Sequence, residues 1–229
     1  MRSGPPIILN GGIYGAPAVP GSSFAYLNKP PIFFEPWTEY RAGLLETVAR
    51  PTWTPSNTNG SFANVNPGIV SYSEQGGATP TFYTAAQTYD ASQLWQLNFN
   101  QVEFVSGPMT GGDLVLFAGF SIGVGAFLKL TLDFNQTGHA NQINCTLQNG
   151  AATLASSLAP CIVGTPFQVQ LGFDGINGYA KINGTRISGI PSTSYTAFDR
   201  RIAFNASGNV GAGSVFQWGS ILFTGTPHP

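Results

Sequence analysis

The stretch from Pro166 to Arg186 constrains the fold more than any other part of the chain. Phe167, Val169, Leu171 and Phe173 alternate with Gln168, Gln170, Gly172 and Asp174. Successive side chains of a strand point to opposite faces, so this period of two describes a strand with one buried and one wet face. Asp174-Gly175-Ile176-Asn177-Gly178 follows, built from residues that tolerate positive φ or bond to their own backbone in turns. Tyr179 to Ile182 supplies a second short strand. Asn183-Gly184 then predicts a type I′ turn, which needs φ > 0 at both central residues, and Thr185 to Ile187 returns. Two tight hairpins in succession commit this region to antiparallel sheet.

The same signals recur from Gly68 onward. Ile69–Tyr72 and Thr81–Thr84 read as short strands. Trp95, Leu97 and Phe99 alternate, whereas Val102 and Phe104 alternate in the opposite parity, which predicts a bulge or bend at Asn100-Gln101. Asp113–Ser121 is apolar on both faces, as a central strand would be. Leu128, Leu130, Leu132 and Phe134 form a one-sided strand, and Asn141–Gln148 with Ala151–Ser156 a hairpin around Asn149-Gly150. Arg201–Asn205 and Val215–Thr224 close the sheets. This spacing of short strands predicts an all-β antiparallel sandwich over 68–229. Its core should include Leu128, Leu130, Leu132, Phe167, Val169, Leu171 and Phe173.

The run of hydrophobic strand, Asp-Gly turn, Tyr-x-Lys-Ile-Asn-Gly at Gln168 to Gly184 resembles the laminin G-like and concanavalin A-like sandwiches, over roughly Gln168 to Phe223. The resemblance implies a jelly-roll sandwich and brings no functional residue with it.

Residues 1–67 read differently. Prolines and glycines punctuate residues 1–36, and proline lacks the N–H a sheet ladder needs, so a packed sheet is not expected there. The segment is nevertheless rich in apolar residues, which a solvated linker is not. It reads as an extended assembly arm anchored by Ile7, Ile8, Leu9, Tyr14, Phe24, Tyr26, Phe33, Phe34 and Trp37. Thr38–Arg50 is the one short helix predicted, with Tyr40, Leu44 and Val48 at spacing four and Pro51 as its stop; 51–67 reads as loop.

Charged residues make up only 8% of the 229, against about 25% in ordinary domains. The net charge of −1 gives no electrostatic case for nucleic acid or an anionic membrane. Scarce charge fits either a surface covered in an assembly or a neutral Ser/Thr/Asn/Gln surface. The N-terminus lacks the apolar core of a secretory signal, so assembly in a host cytoplasm is expected, and the sequons should be bare. Cys145 faces the core of its strand; it and Cys161 read as free buried thiols, with a disulfide between neighbouring strands as the alternative.

Catalytic chemistry is not apparent. Glycosidases work with two carboxylates set a few ångströms apart, and no Glu-x-Asp or Asp-x-Glu pair occurs on a strand. His139 lies in a turn-like Thr-Gly-His-Ala run with no triad partner, and the few Cys and His have no metal spacing. No enzyme, no cofactor and no metal is expected. The expected function is a structural subunit of a large assembly, a virion: a capsid-decorating, head-fibre or tail protein held by its arm to copies of itself and other virion subunits. The alternative is a carbohydrate-binding module for a host or matrix glycan. Asp174, Asn177, Tyr179 and Trp218 are its candidate residues, since sugar sites combine aromatic surfaces with a few convergent polar groups.

Overall fold

The structure, a computed structural model, describes residues 31–48, 52–56, 63–73, 81–85, 87, 89, 93–106, 112–121, 125–191, 201–207 and 215–226. The first strands are β1 (Pro31–Glu35), β2 (Gly43–Leu44), β3 (Thr54–Pro55), β4 (Ala63–Asn66), β5 (Ile69–Ser73) and β6 (Phe82–Tyr83). The long strands β7 (Trp95–Ser106), β8 (Asp113–Ser121), β9 (Gly125–Asp133), β10 (Gln142–Asn149) and β11 (Ala152–Pro160) follow. The chain continues through β12 (Phe167–Phe173), β13 (Gly178–Ile182), β14 (Thr185–Gly189), β15 (Arg201–Ser207), β16 (Val215–Trp218) and β17 (Ile221–Gly225).

These strands form two antiparallel sheets. The ten-stranded sheet runs β14-β13-β12-β7-β16-β5-β4-β2, with β17 on the first half of β7 and β1 beyond it. The seven-stranded sheet runs β11-β10-β9-β8-β15-β6-β3, and β8 is central in it, as its two apolar faces require. Leu128, Leu130, Leu132, Phe167, Val169, Leu171 and Phe173 are all buried between the sheets. The protein is a concanavalin A-like sandwich.

The parity shift in β7 is real and has a purpose in the sheet. Phe99 and Val102 are both buried, and Gln101 between them has φ 54°. Before the bend β7 pairs with β17, and after it with β16. The break between β16 and β17 sits opposite, where Gly219 donates its N–H to the Asn100 carbonyl and Asn100 donates its own to Ser220. One irregularity thus answers the other across the ladder. Asn183 (φ 43°) and Gly184 (φ 87°) confirm the tight β13–β14 turn.

The N-terminal readings need correction. Ile7, Ile8, Leu9, Tyr14, Phe24 and Tyr26 lie outside the described residues. Pro31–Glu35 is not free arm but a strand paired with β17; it is bonded on that side alone among the described residues, where proline's missing donor is tolerated. Phe33 packs edge-on against Trp53 at 5.6 Å, and Trp37 is fully buried on its own sandwich, so neither is an anchor for a neighbour. Phe34 is 53% exposed. Of the helix predicted over 38–50, only Leu45–Val48 is helical among the described residues 38–48, because Gly43 and Leu44 pair with β4 instead. A short helix interrupted by glycine is marginal, and sheet pairing wins. The predicted loop 51–67 contains β3 and β4, one in each sheet.

A buried carboxylate fastens this region. Glu35 accepts hydrogen bonds from the Trp37 backbone N–H (3.0 Å), the Tyr40 hydroxyl (2.8 Å) and the Trp53 indole N–H (3.1 Å). The Trp37 ring stacks on Trp53 at 5.6 Å, and its own N–H donates to the Gly219 carbonyl. Trp37 has φ 59°, a conformation a bulky residue holds only when its surroundings fix it.

Candidate functional site

The structure gathers three of the four sequence-predicted sugar-contacting residues and separates the fourth. Asp174 closes the β12–β13 turn: its Oδ1 accepts the backbone N–H of Ile176 (3.1 Å) and of Asn177 (2.7 Å). Its Oδ2 accepts from Arg186 on β14 at 3.1 Å. The Arg186 guanidinium lies over the Tyr179 ring, 4.4 Å from its centroid. Beneath, a Cβ on Gly172 would stand 2.5 Å from the ring, so only glycine admits Tyr179 there. Burial pushes the Asp174 carboxyl up, but the backbone N–H groups of Asn177 and Ile176, the Asn177 side chain and Arg186 outweigh it and hold it below its ordinary range. Tyr179 is only 4% exposed. This corner is a closed stack with its polar groups satisfied. Trp218 is fully buried on the inner face of the same sheet, 5.3 Å from Phe204, because its position in β16 has inward parity; it is corrected from a sugar platform to a core residue. Trp53 and Trp95 are buried likewise.

The outer face of the seven-stranded sheet is a different surface. One register row crosses every strand of it. Thr54 on β3 stands opposite Tyr83 on β6, Tyr83 opposite Ala203 on β15, and Ala203 opposite Phe117 on β8. Phe117 stands opposite Lys129 on β9, Lys129 opposite Gln148 on β10, and Gln148 opposite Thr153 on β11. At about 4.8 Å between strands the row spans roughly 29 Å. Tyr83 and Phe117, both half-buried, cover Ala203 between them, forming a small apolar cluster outside the main core. The Arg201 guanidinium sits over the Tyr83 ring at 5.2 Å. The next row carries Asn205, Val115, Thr131 and Thr146. Lys129, Thr131, Thr146 and Gln148 are half-buried, and among the described residues their side chains have no hydrogen bond or ion pair.

The third row brings together what no single strand could. Asp113 on β8 stands directly opposite Asp133 on β9, which stands opposite Asn144 on β10. Cross-strand Cβ atoms are about 4.5–5.5 Å apart. Sequence reasoning sought paired carboxylates at alternate positions on one strand, so a pair made by register escaped it. Asp133 Oδ1 accepts the Asn135 N–H at 2.8 Å and so caps the strand end. Among the described residues no group of three His, Cys, Asp or Glu side chains is gathered to hold a metal ion. No described helix is long and apolar enough to cross a membrane.

Cys145 and Cys161 are free and buried. Burial pushes both thiols up to about 12, with Cys161 and Asp133 adding to the effect at Cys145. They are packing groups, not nucleophiles.

No family model matches this chain, and no curated protein matches it. Solved structures share its fold. The CBM2 module of Lactobacillus casei BL23 phage J-1 evolved Dit superposes with a TM-score of 0.61 at 12% identity, covering 84% of this chain and 94% of that one. The Emp47p carbohydrate recognition domain gives 0.58 at 12% identity, covering 86% and 94%. The VIP36 exoplasmic/lumenal domain in its Ca2+/Man3GlcNAc-bound form gives 0.57 at 8% identity, covering 76% and 83%. A prokaryotic beta-1,3-1,4-glucanase also matches, at 0.50 and 10% identity, covering 84% and 98%.

Proposed function

We propose that this protein is a non-enzymatic carbohydrate-binding module whose ligand lies along the outer face of the seven-stranded sheet. The observation that carries the reading is the row Tyr83, Ala203, Phe117, Lys129, Gln148, an apolar aromatic surface continuous with Lys129 and Gln148, whose side chains have no partner among the described residues. A pyranose presents an apolar ring face and a rim of hydroxyls, which is the complement of such a surface. The carbohydrate-recognition domains that share the fold support the reading.

The test is a glycan array followed by titration calorimetry on the best hits, with Phe117→Ala and Gln148→Ala beside the unmodified protein. Loss of an aromatic anchor should weaken binding by about ten-fold or more, about 1.4 kcal/mol. If no glycan binds the unmodified protein, or if Phe117→Ala binds normally, the proposal fails. The Asp113–Asp133 pair calls for a second measurement. Incubation with mixed-linkage β-glucan should release no reducing sugar; release that Asp133→Asn abolishes, with the fold intact, would make the protein a hydrolase.

A second reading, a virion subunit held by the N-terminal arm, has one specific support: a carbohydrate-binding module of phage J-1 evolved Dit shares this fold. The readings are compatible, because a module on a virus particle needs both a glycan site and an attachment. Deleting residues 1–30 should then leave glycan binding unchanged and abolish incorporation into the particle. Normal incorporation of the truncated protein would remove the arm's role.

A further inference from the structure

We infer that the glycan bound on the seven-stranded face is acidic, with a carboxylate of a uronic or sialic acid type residue paired to the Lys129 ammonium; this rests on the carbohydrate reading above. Lys129 stands between Phe117 and Gln148 in the row, half-buried, and has neither ion pair nor hydrogen bond among the described residues. A cation that is partly withdrawn from water gains most from a partner that brings the opposite charge to it. The only ion pair among the described residues is Asp174 with Arg186, at a corner of the other sheet. Among the described residues, the carboxylates on the Lys129 face are remote from it. Asp133 lies four positions along the same strand, about 13 Å away at 3.3 Å per residue. That exceeds the screening length of about 8 Å at physiological salt, and Asp113, opposite Asp133, is in the same far row. Near Lys129 there is instead the aromatic surface of Phe117, extended through Ala203 to Tyr83 with Arg201 above it. The row therefore offers the Lys129 ammonium beside an apolar strip, with the amide of Gln148 and the hydroxyls of Thr131 and Thr146 next to it. A neutral sugar would leave the ammonium unmatched; a sugar acid stacks its ring and pairs its carboxylate in one pose.

Lys181 on β13 is the internal control. It is also half-buried, on the outer face of the ten-stranded sheet, opposite Gln170 and Arg186. The aromatic ring in that neighbourhood, Tyr179, is already covered by Arg186.

The experiment is calorimetric titration of the full chain with matched pairs of ligand: oligogalacturonates against their carboxyl-reduced neutral counterparts, and sialyllactose against lactose. At least one acidic member should bind about ten-fold or more tightly than its neutral counterpart. Lys129→Gln should erase that advantage, Lys129→Arg should keep most of it, and Lys181→Gln should change nothing. Equal binding of acidic and neutral members overturns the inference while leaving the carbohydrate reading intact. Failure of every glycan to bind overturns both. An advantage that survives Lys129→Gln, or is lost in Lys181→Gln, places the charge elsewhere and overturns the assignment to this face.

Discussion

The outer faces of the two sheets have similar polar side chains and use them in opposite ways. Along β7 and its neighbours in the ten-stranded sheet the amides bond to the protein itself. Gln96 donates to Asn98, Asn98 to the Leu222 carbonyl, Asn100 to the Ser220 hydroxyl, and Gln217 to Glu103. At the edge of that sheet Asp174, Arg186 and Tyr179 complete one another. On the seven-stranded sheet Lys129, Thr131, Thr146 and Gln148 bond to nothing among the described residues, next to a half-buried aromatic pair. A polar group that already has its partner gains little from a ligand, whereas one with only water to exchange can give up that water for a hydroxyl or a carboxylate. The contrast says that a polar cluster near an aromatic ring is not by itself a binding site. What matters is whether its hydrogen-bonding capacity is already filled.

The largest effect expected is on the wall behind the open face. Leu130 lies between Lys129 and Thr131 in β9 but points inward and is fully buried. Leu130→Ala should cost about 2–5 kcal/mol in urea unfolding; a loss below about half a kcal/mol would show that the strand does not back the face as described. Removing the Glu35 acceptor strands two buried N–H donors and the half-buried Tyr40 hydroxyl, so Glu35→Ala should cost about 3 kcal/mol, while Glu35→Gln, which keeps one oxygen acceptor, should cost less. Equal losses from both would mean that the hydrogen bonds are not what holds β1 down.

Smaller effects test the closed corner. Asp174→Asn should lower stability at neutral pH by less than about 1 kcal/mol, since the ion pair is partly exposed. The carboxyl titrates below its ordinary 3.8 in the fold, so its contribution is present above that value and fades as pH falls through the lower folded one. Thermal melts of the two proteins should therefore converge in acid, and glycan affinity should be the same for both at pH 7. A drop in affinity in Asp174→Asn would reopen the corner as a site. The smallest effect concerns the thiols behind the open face. At pH 8 neither Cys145 nor Cys161 should react with a thiol reagent in the native protein, and both should in urea. With both thiols pushed up from 9.0 to about 12, stability should decline as pH rises between those values. Rapid native labelling would show that the sheet opens at its β10–β11 edge.

The fold was legible because its signals are local. Alternation at Phe167–Phe173, the Asn183-Gly184 turn and the parity shift at Asn100-Gln101 each follow from a few consecutive residues, and each is present in the structure. The candidate site was not legible. Asp174, Asn177 and Tyr179 come together as expected, but their chemistry is filled by Arg186, a residue that periodicity marks only as outward on β14. Trp218 looked like a platform because tryptophan is amphipathic; its inward parity on β16 decided otherwise. The short segments before Gly68 misled for a related reason. Two-residue strands such as Gly43–Leu44 and Thr54–Pro55 have no period to read, and exist only because a neighbour in the sheet offers bonds.

The sequence by itself determined that this chain is an antiparallel sandwich and which side of β7, β9, β10 and β12 faces inward. That information is carried by adjacent residues, and burial of the apolar side is the largest favourable contribution to folding. Only the tertiary structure decided which outward residues of different strands share a row. Tyr83, Phe117, Lys129, Gln148 and Ala203 lie far apart in the chain, and Asp113 and Asp133 meet only through the β8–β9 register. Register depends on loop lengths, bulges and the fit of the two cores together, and a slip of one residue would turn every one of these side chains to the other face.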